Sequence, residues 1–171
     1  MATRHKKRQK PQEGIRVRGF YHLQLVEKDE QGIPTVVGDS GWQENQVVNL
    51  GFRDYLCHLI AASAGSKQIG RVMIGTGTAP GAAATSLDGE LNTATYTRQS
   101  PTLSLGGSTA MSFLATWASS DSHITATTAI QNIGLINNTT SAGTIFSGNT
   151  YTVSTWQTNQ DLNATYAITF A

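Results

Sequence analysis

The chain of 171 residues has a formal net charge of +1, one cysteine and only 13% charged residues. This length suits one domain with a sizeable core, and the single Cys57 excludes an intrachain disulfide framework. No apolar run reaches the roughly 18 residues of a transmembrane helix, and the basic N-terminal segment lacks the apolar core of a secretory signal. We therefore expect a protein that is not secreted and contacts no membrane.

The charged residues are divided sharply between two segments. Residues 1–18 hold seven basic residues and one acid, a net charge of +6, whereas residues 19–171 hold five basic and ten acidic residues, a net of −5. A segment as basic as the first repels itself and buries little apolar surface. We expect a basic N-terminal arm over 1–18 and a single domain over 19–171. The predicted partner-binding residues of the arm are Arg4, Lys6, Lys7, Arg8, Lys10, Arg16 and Arg18.

Three roles are open for this arm. It docks on an acidic protein surface, it binds nucleic acid, or it is a solvated tail. No aromatic residue is interleaved with the basic ones before Phe20, and no DNA-binding fold signature is present. The pattern therefore favours an acidic protein partner, with nucleic acid as the second choice.

In chain order, the first predicted elements of the domain are strands. Residues 17–28 alternate apolar and polar residues, DEQG has turn chemistry, and residues 33–37 form a second strand. Pro34 favours an edge position or a strand start. The segment WQENQVV then leads into one predicted helix over residues 50–64, with Asn49 as N-cap and Gly65 after its end. The apolar stripe of that helix consists of Phe52, Leu56, Leu59 and Ile60.

The remaining chain is rich in Thr and alternates with period two. Residues 110–118 and 162–170 show this best, and we expect their aromatic residues in the core. Those residues are Phe113, Trp117, Tyr166 and Phe170. Further strands are predicted at 71–74, 92–100, 101–105, 124–128, 130–136, 144–147 and 150–156. The pattern predicts a mainly β fold, an antiparallel β-sandwich of roughly seven to ten strands with the helix packed across an end or edge.

The stretch GRVMIGTGTAPG at 70–81 has the glycine content of a nucleotide-binding loop. A P-loop needs a Lys followed by Ser or Thr after the glycines, and a dinucleotide fingerprint needs G-x-G-x-x-G. Gly75, Gly77 and Gly81 satisfy neither pattern, and no apolar helix spacing follows them. We interpret the segment as a strand followed by a long flexible surface loop, and we predict no cofactor.

Residues suited to catalysis or metal binding are scattered. The four histidines show no metal-ligand spacing; they are His5, His22, His58 and His123. Asp88 and Glu90 share a loop, where paired carboxylates are usually only solvated. The sequence therefore predicts a protein that is not an enzyme and holds no metal.

Five segments taken in order resemble a widespread kind of small structural protein of tailed-bacteriophage virions. They are GFYHLQLVEKDEQG, GWQENQVVNLGFRDYLCHLI, RVMIGTGTAPGAAATSLDGEL, IQNIGLINNTTSAGTIFS and DLNATYAITF. The likeness covers roughly residues 19–171, and the basic arm has no counterpart in it. Proteins of this kind resemble capsid decoration (cement) proteins, often trimers with β-sandwich or jelly-roll folds on the shell, and tail- or fibre-associated proteins.

The resemblance implies a structural protein of the virion, namely a cement subunit that binds the major capsid protein or other virion proteins and forms a homotrimer. A tail adaptor or fibre-associated protein is the alternative. A third reading, drawn from the residues themselves, is a carbohydrate-binding module with Trp117 or Trp156 as a stacking platform. Trp117 is in register with core residues, whereas Trp156 stands among polar residues.

Overall fold

A computed structural model of the chain describes residues 17–48, 55, 68–91, 98–106, 110–137 and 143–170. Within these residues the chain forms nine strands. They are β1 (Val17–Lys28), β2 (Pro34–Asp39), β3 (Gln43–Val47), β4 (Arg71–Gly75), β5 (Thr102–Leu105), β6 (Ala110–Trp117), β7 (Thr128–Ile136), β8 (Ile145–Trp156) and β9 (Asp161–Phe170). A 3₁₀ turn at Ser119–Asp121 follows β6.

All nine strands belong to one antiparallel sheet that curls into a half-barrel. Its order is β4-β7-β8-β3-β1-β9-β6-β5, with β2 paired to β1. The short strand β3 joins the two halves, because residues 43–45 pair with β1 while Gln46 and Val47 pair with β8. The mainly β, antiparallel class predicted from the sequence is confirmed. The two-sheet sandwich is not confirmed, because β3 connects both halves into one continuous sheet.

The main core lies inside the curl and draws on both halves of the sheet. Its largest fully buried side chains include Trp117 and Trp156, which are 0% and 1% exposed. Tyr21, Phe113 and Tyr166 are buried beside them, from β1, β6 and β9. Along β1, β6 and β9 these residues alternate with less buried, mostly polar residues, as period two predicts for a sheet with one buried face.

Strands β4 and β7 are buried on both faces. Besides the main core, a second apolar cluster covers the other face of this part of the sheet. It consists of Val48, Met73, Leu87, Ile136 and Ile145. Leu87 comes from the segment after β4, so the chain that leaves β4 returns across the sheet and shields it. This explains why RVMI and IGLI read as continuous apolar runs.

Three strand predictions were wrong in detail. Residues 144–147 and 150–156 are parts of one strand, β8, because the sequence SGN continues the pairing with β7 and does not form a turn. Residues 124–127 lie outside the strands, and β7 begins at Thr128. The segment assigned as the approach to the helix contains β3. Phe170, predicted in the core, is 46% exposed at the end of β9, opposite Val17 at the start of β1.

Pro34 begins β2, which pairs with β1 alone among the described strands, as predicted for an edge strand. Of the predicted helix over 50–64, only Tyr55 lies within the described residues, and it has helical conformation. Its hydroxyl donates to the Thr144 carbonyl at 2.7 Å and its ring packs against Phe146. The helix itself and most of the predicted strand 92–100 lie outside the described residues.

Candidate functional site

The glycine-rich segment after β4 is folded back on itself. The backbone amides of Thr76 and Gly77 donate to the carbonyls of Gly89 and Asp88, at 3.0 and 3.1 Å. The next amide, of Thr78, donates to the Asp88 carboxylate at 2.9 Å. Hydrogen bonds from the Thr78 amide and hydroxyl and from the Gly89 amide lower the pKa of the Asp88 carboxyl. Three successive N–H groups, those of Thr76, Gly77 and Thr78, are already satisfied within the chain and are not free to bind a phosphate.

Close approach between these two stretches explains the glycines. A Cβ added at Gly77 would collide with Asp88, and one at Gly75 would meet the Asn132 amide oxygen at 2.5 Å. Gly89 has φ of +60°, a conformation that side chains disfavour. The glycines therefore allow the segment after β4 to fold back tightly beside β7. The absence of a nucleotide site stays a prediction. The segment interpreted as a flexible surface loop folds back and is hydrogen-bonded to Asp88, Gly89 and Asn132.

Asn132 of β7 fixes the loop to the sheet. Its amide group donates to the carbonyls of Thr78 and Asp88, at 3.1 and 2.8 Å. The neighbouring Gln131 donates to the carbonyl of Thr76 at 2.6 Å. Because Asn132 is fully buried, its two bonds are shielded from water and hold the loop against the sheet, whereas the bond from Gln131 is exposed.

Glu90 and Arg98 form a buried ion pair beside the edge of β4 that faces away from β7. The Arg98 side chain is 0% exposed and donates to both carboxylate oxygens of Glu90, at 2.6 and 2.8 Å. Glu90 also makes an isolated bridge to Gly75, and Gln99 makes one to Val72. The two bridges cover the edge of β4, and the ion pair joins the segments that carry them. Glu90 is therefore a structural residue and not a solvated carboxylate.

The two described histidines are held in structural contacts. His22 Nε2 lies 2.6 Å from the Asp39 carboxylate, and His123 is buried beside Gln99 and Asp121. Among the described residues, no group of three His, Cys, Asp or Glu side chains is placed to hold a metal ion. No helix in the same part of the chain is long and apolar enough to cross a membrane. His5 and His58 lie outside the described residues.

Arg18 is the predicted arm residue that the structure describes, and it lies within β1. Its guanidinium contacts the Glu44 carboxylate on β3 at 2.8 Å and lies 5.5 Å from the centre of the Phe20 ring. The sheet therefore begins at Val17, two residues before the predicted start of the domain at residue 19. The segment that carries the other six arm residues joins β1, which pairs with β9 at ten positions. The partner-binding role of all seven residues stays a prediction.

Carboxylates gather at the opposite end of β1, which we call the acidic end. Val26 pairs with Asp161, and Trp117 pairs with Leu162. These pairings bring the C-terminal ends of β1 and β6 next to the start of β9. The carboxylates there are Glu27, Asp29, Glu30, Asp121 and Asp161. Lys28 contacts Asp161 at 2.6 Å. Five acids against one Lys leave a net charge of −4 at this end.

Individual contacts hold these carboxylates in place. Asp29 accepts the amides of Gln31 and Ile33 and shapes the β1–β2 turn. Glu27 accepts a hydrogen bond from Gln160 at 3.0 Å. Burial raises the pKa of Asp161, but the bonds from Lys28 and Ser119 outweigh that effect and the pKa lies below its usual value. Asp161 therefore keeps its negative charge at neutral pH despite its burial.

A cleft of about 650 Å³ opens between β2 and β8, and we call it the seam. Strand β3 reaches β8 only at Ser147 and Gly148. Beyond these two residues no described strand lies between β2 and β8, and the cleft forms there. Among the described strands, β2 pairs with β1 alone, and Ser154 and Thr155 pair with β7 alone, next to a register shift between β7 and β8. Each wall of the seam thus presents a strand edge without a strand partner. Its lining includes Leu25, Glu27, Val37, Asp39, Val153 and Gln160.

On the outer face of β1, β9, β6 and β5, the described residues present mostly hydroxyl and amide side chains. Pairing places Gln24, Asn163 and Thr116 in one row, and His22, Thr165, Leu114 and Thr102 in the next. Trp42 borders this face, 55% exposed, with its ring 5.3 Å from that of His22. This side chain was missed in the sequence, where nothing distinguishes it from the buried tryptophans.

The stacking platform predicted at Trp117 or Trp156 was wrong. Both rings are buried, and the Trp156 indole N–H donates to the carbonyl of Gln160 at 2.9 Å. The polar residues around Trp156 in the sequence occupy the other face of β8 and the turn that supplies this acceptor. No protein-family model, curated protein or solved structure matches the chain.

Proposed function

We propose that this chain is a non-enzymatic structural protein of a tailed-phage virion, a decoration subunit that binds and stabilises the shell. The observation that carries the proposal is the division of charge between a strongly basic arm and an acidic β-domain. The resemblance in segment order supplies the virion context. The two-sheet, jelly-roll-like arrangement and the trimeric state that this resemblance implies belong to the proposal as well.

The mechanical connection of the arm supports this role. The arm joins β1, which has β9 on one side and β2 and β3 on the other. A force applied through the arm would therefore act along a strand whose hydrogen bonds on both edges share the load. An arm attached to an edge strand would lack one of these two sets of bonds.

The surface of the domain also suits repeated contact. The outer face carries short hydroxyl and amide side chains, which lose little rotamer freedom when they are covered. Individual exposed ion pairs made by the arm are worth about 0–1 kcal/mol each. Many copies bound to one symmetric lattice would still give high avidity, because the contacts are repeated.

Binding to capsids stripped of accessory proteins tests the proposal. We would compare the full chain with a truncation of residues 1–16, which leaves β1 complete, and with a control that keeps the arm length but carries Gln at every arm Lys and Arg through Arg16. Saturable binding that salt weakens, and that both variants lose, is the expected result. Equal binding by all three proteins would refute the role of the arm. If the full chain binds isolated tails but not capsids, the tail alternative replaces the decoration role.

A carbohydrate-binding module is a second candidate, favoured by the exposed ring of Trp42. Asp39 accepts hydrogen bonds from Gln24 and the Gly41 amide and contacts His22, so the polar groups beside the ring are fixed. A glycan array probed with the full chain and with Trp42→Ala tests this function. Binding that survives the substitution would exclude Trp42 as the platform.

A further inference from the structure

We propose that the seam binds the basic arm of a second copy of this chain, so that copies associate head to tail. This inference rests on the proposed function in one respect, because it takes the arm as a docking element. It goes further in naming the acidic surface on which the arm docks.

The walls of the seam suit an extended segment. The facing edges of β2 and β8 have no strand partner among the described residues, so their backbone N–H and C=O groups can pair with a peptide that lies between them. Leu25, Val37 and Val153 add apolar surface that the methylene stems of Lys and Arg can cover while their charged ends reach outward. A basic, extended arm therefore has partners for its backbone, its stems and its charges.

The charges of the two parts are complementary. With Arg18 engaged by Glu44, the arm keeps six basic residues and one acid, a net of +5. Glu27 and Asp39 line the seam itself. Asp29 and Glu30 extend the negative charge beyond it at the acidic end, where the net charge is −4. Among the described residues, these four carboxylates have no contact with a Lys or Arg.

Distance favours the arm of a neighbour over the chain's own. The chain enters the sheet at Val17. Glu27 lies ten residues further along β1, about 34 Å away at the rise of a strand. The thirteen residues from Arg4 to Val17 span at most about 47 Å when fully extended, but a random coil of that length averages only about 18–22 Å. The chain's own basic residues therefore reach Glu27 only if the arm turns back along β1 and is stretched well beyond that average.

A second copy whose arm-bearing end faces the seam avoids this limit. The contact is then heterologous, since the arm of one copy meets the seam of the next. Repetition closes a ring where the rotation between neighbours permits, and a ring of three copies would satisfy every arm and every seam. The trimer expected from the resemblance would follow from this geometry.

Measurement of molar mass in solution tests the proposal, by light scattering after size exclusion across protein and salt concentrations. The full chain should associate at low ionic strength and dissociate at high ionic strength. Removal of residues 1–16 should leave a monomer. Glu27→Gln with Glu30→Gln should weaken association by on the order of tenfold, while Thr102→Lys with Ser104→Lys, which changes net charge equally on β5, should not.

Mixing two defective proteins gives the sharper test. An acceptor variant lacks residues 1–16, and a donor variant carries Glu27→Gln, Asp29→Asn, Glu30→Gln and Asp121→Asn. These amides keep the oxygen acceptors of the acidic end, and an unchanged melting temperature confirms the fold. Each protein alone should be monomeric, and the mixture should form a complex of one donor and one acceptor that does not grow further.

Three results would overturn the proposal: a monomeric full chain at low salt, association that survives loss of the arm, or no complex in the mixture. The capsid-binding assay separates this outcome from failure of the proposed function. Capsid binding without self-association would place the acceptor on the capsid protein. Self-association without binding to capsids or tails would retain the head-to-tail contact and reject the virion role.

Discussion

The buried pair of Glu90 and Arg98 gives the most demanding prediction of the structure. Replacement of Arg98 by Met removes a guanidinium that is 0% exposed and leaves the Glu90 carboxylate, 10% exposed, without its bidentate partner. Loss of one member of a buried ion pair costs about 3–5 kcal/mol, because the remaining charge is neither hydrated nor paired. For a chain of this size, that loss lowers the melting temperature by roughly 6–20 °C.

Arg18 supplies a matched control within the same chain. Its pair with Glu44 has a similar distance, 2.8 Å, but the two side chains are 55% and 57% exposed. Arg18→Met should therefore cost no more than about 1 kcal/mol. The double substitution Arg98→Met with Glu90→Leu should recover much of the lost stability, since no charge is then left buried.

Urea denaturation of five proteins measures these differences: the unchanged chain, Arg98→Met, Arg18→Met, Glu90→Leu and the double variant Arg98→Met with Glu90→Leu. The reasoning is refuted if Arg98→Met costs no more than Arg18→Met. It is also refuted if the double variant is as unstable as the sum of the two single changes, because the pair would then contribute no coupling.

Three further predictions concern aromatic residues and pH. Trp117→Ala should lower the free energy of unfolding by about 3–5 kcal/mol and Trp42→Ala by about 0.5 kcal/mol or less, because the first ring is buried and the second is 55% exposed. Equal melting temperatures of the two variants would exclude Trp117 from the core. Hydrogen bonds from Gln24 and the Gly41 amide, with His22, lower the pKa of Asp39 to about 2. The contribution of Asp39 to stability should therefore be present above pH ~4 and be lost as the pH falls toward 2. A titration of this carboxyl by NMR with a midpoint near pH ~4 would contradict the prediction. Burial raises the pKa of Tyr21 to about 12 and raises the pKa values of Tyr151 and Tyr166 further. Stability should therefore decline above pH ~10, because these phenols ionise first in the unfolded chain. An ultraviolet titration in which all three phenols of the folded protein ionise near pH ~10 would refute their burial.

Several features of the fold could be predicted from local pattern alone. Period-two alternation identified β1, β6 and β9 almost to the residue, because each has one buried and one exposed face. Pro34 identified an edge strand because it lacks a donor for a second partner. The separation of basic arm and acidic domain is a property of composition, and it needs no fold to be visible.

Other features depend on contacts between distant parts of the chain. The glycines after β4 resemble a ligand loop until Asp88 and Asn132 are seen to fill the space beside them. Trp42 and Trp156 both follow polar turns in sequence, yet only the tertiary structure places one at the surface and the other against Gln160. The sequence by itself thus determined which residues alternate, where charge accumulates and which strand lies at an edge. Tertiary structure decided the curl of the single sheet, the seam and the acidic end, because each depends on which strand edges meet, and local periodicity carries no information about that choice.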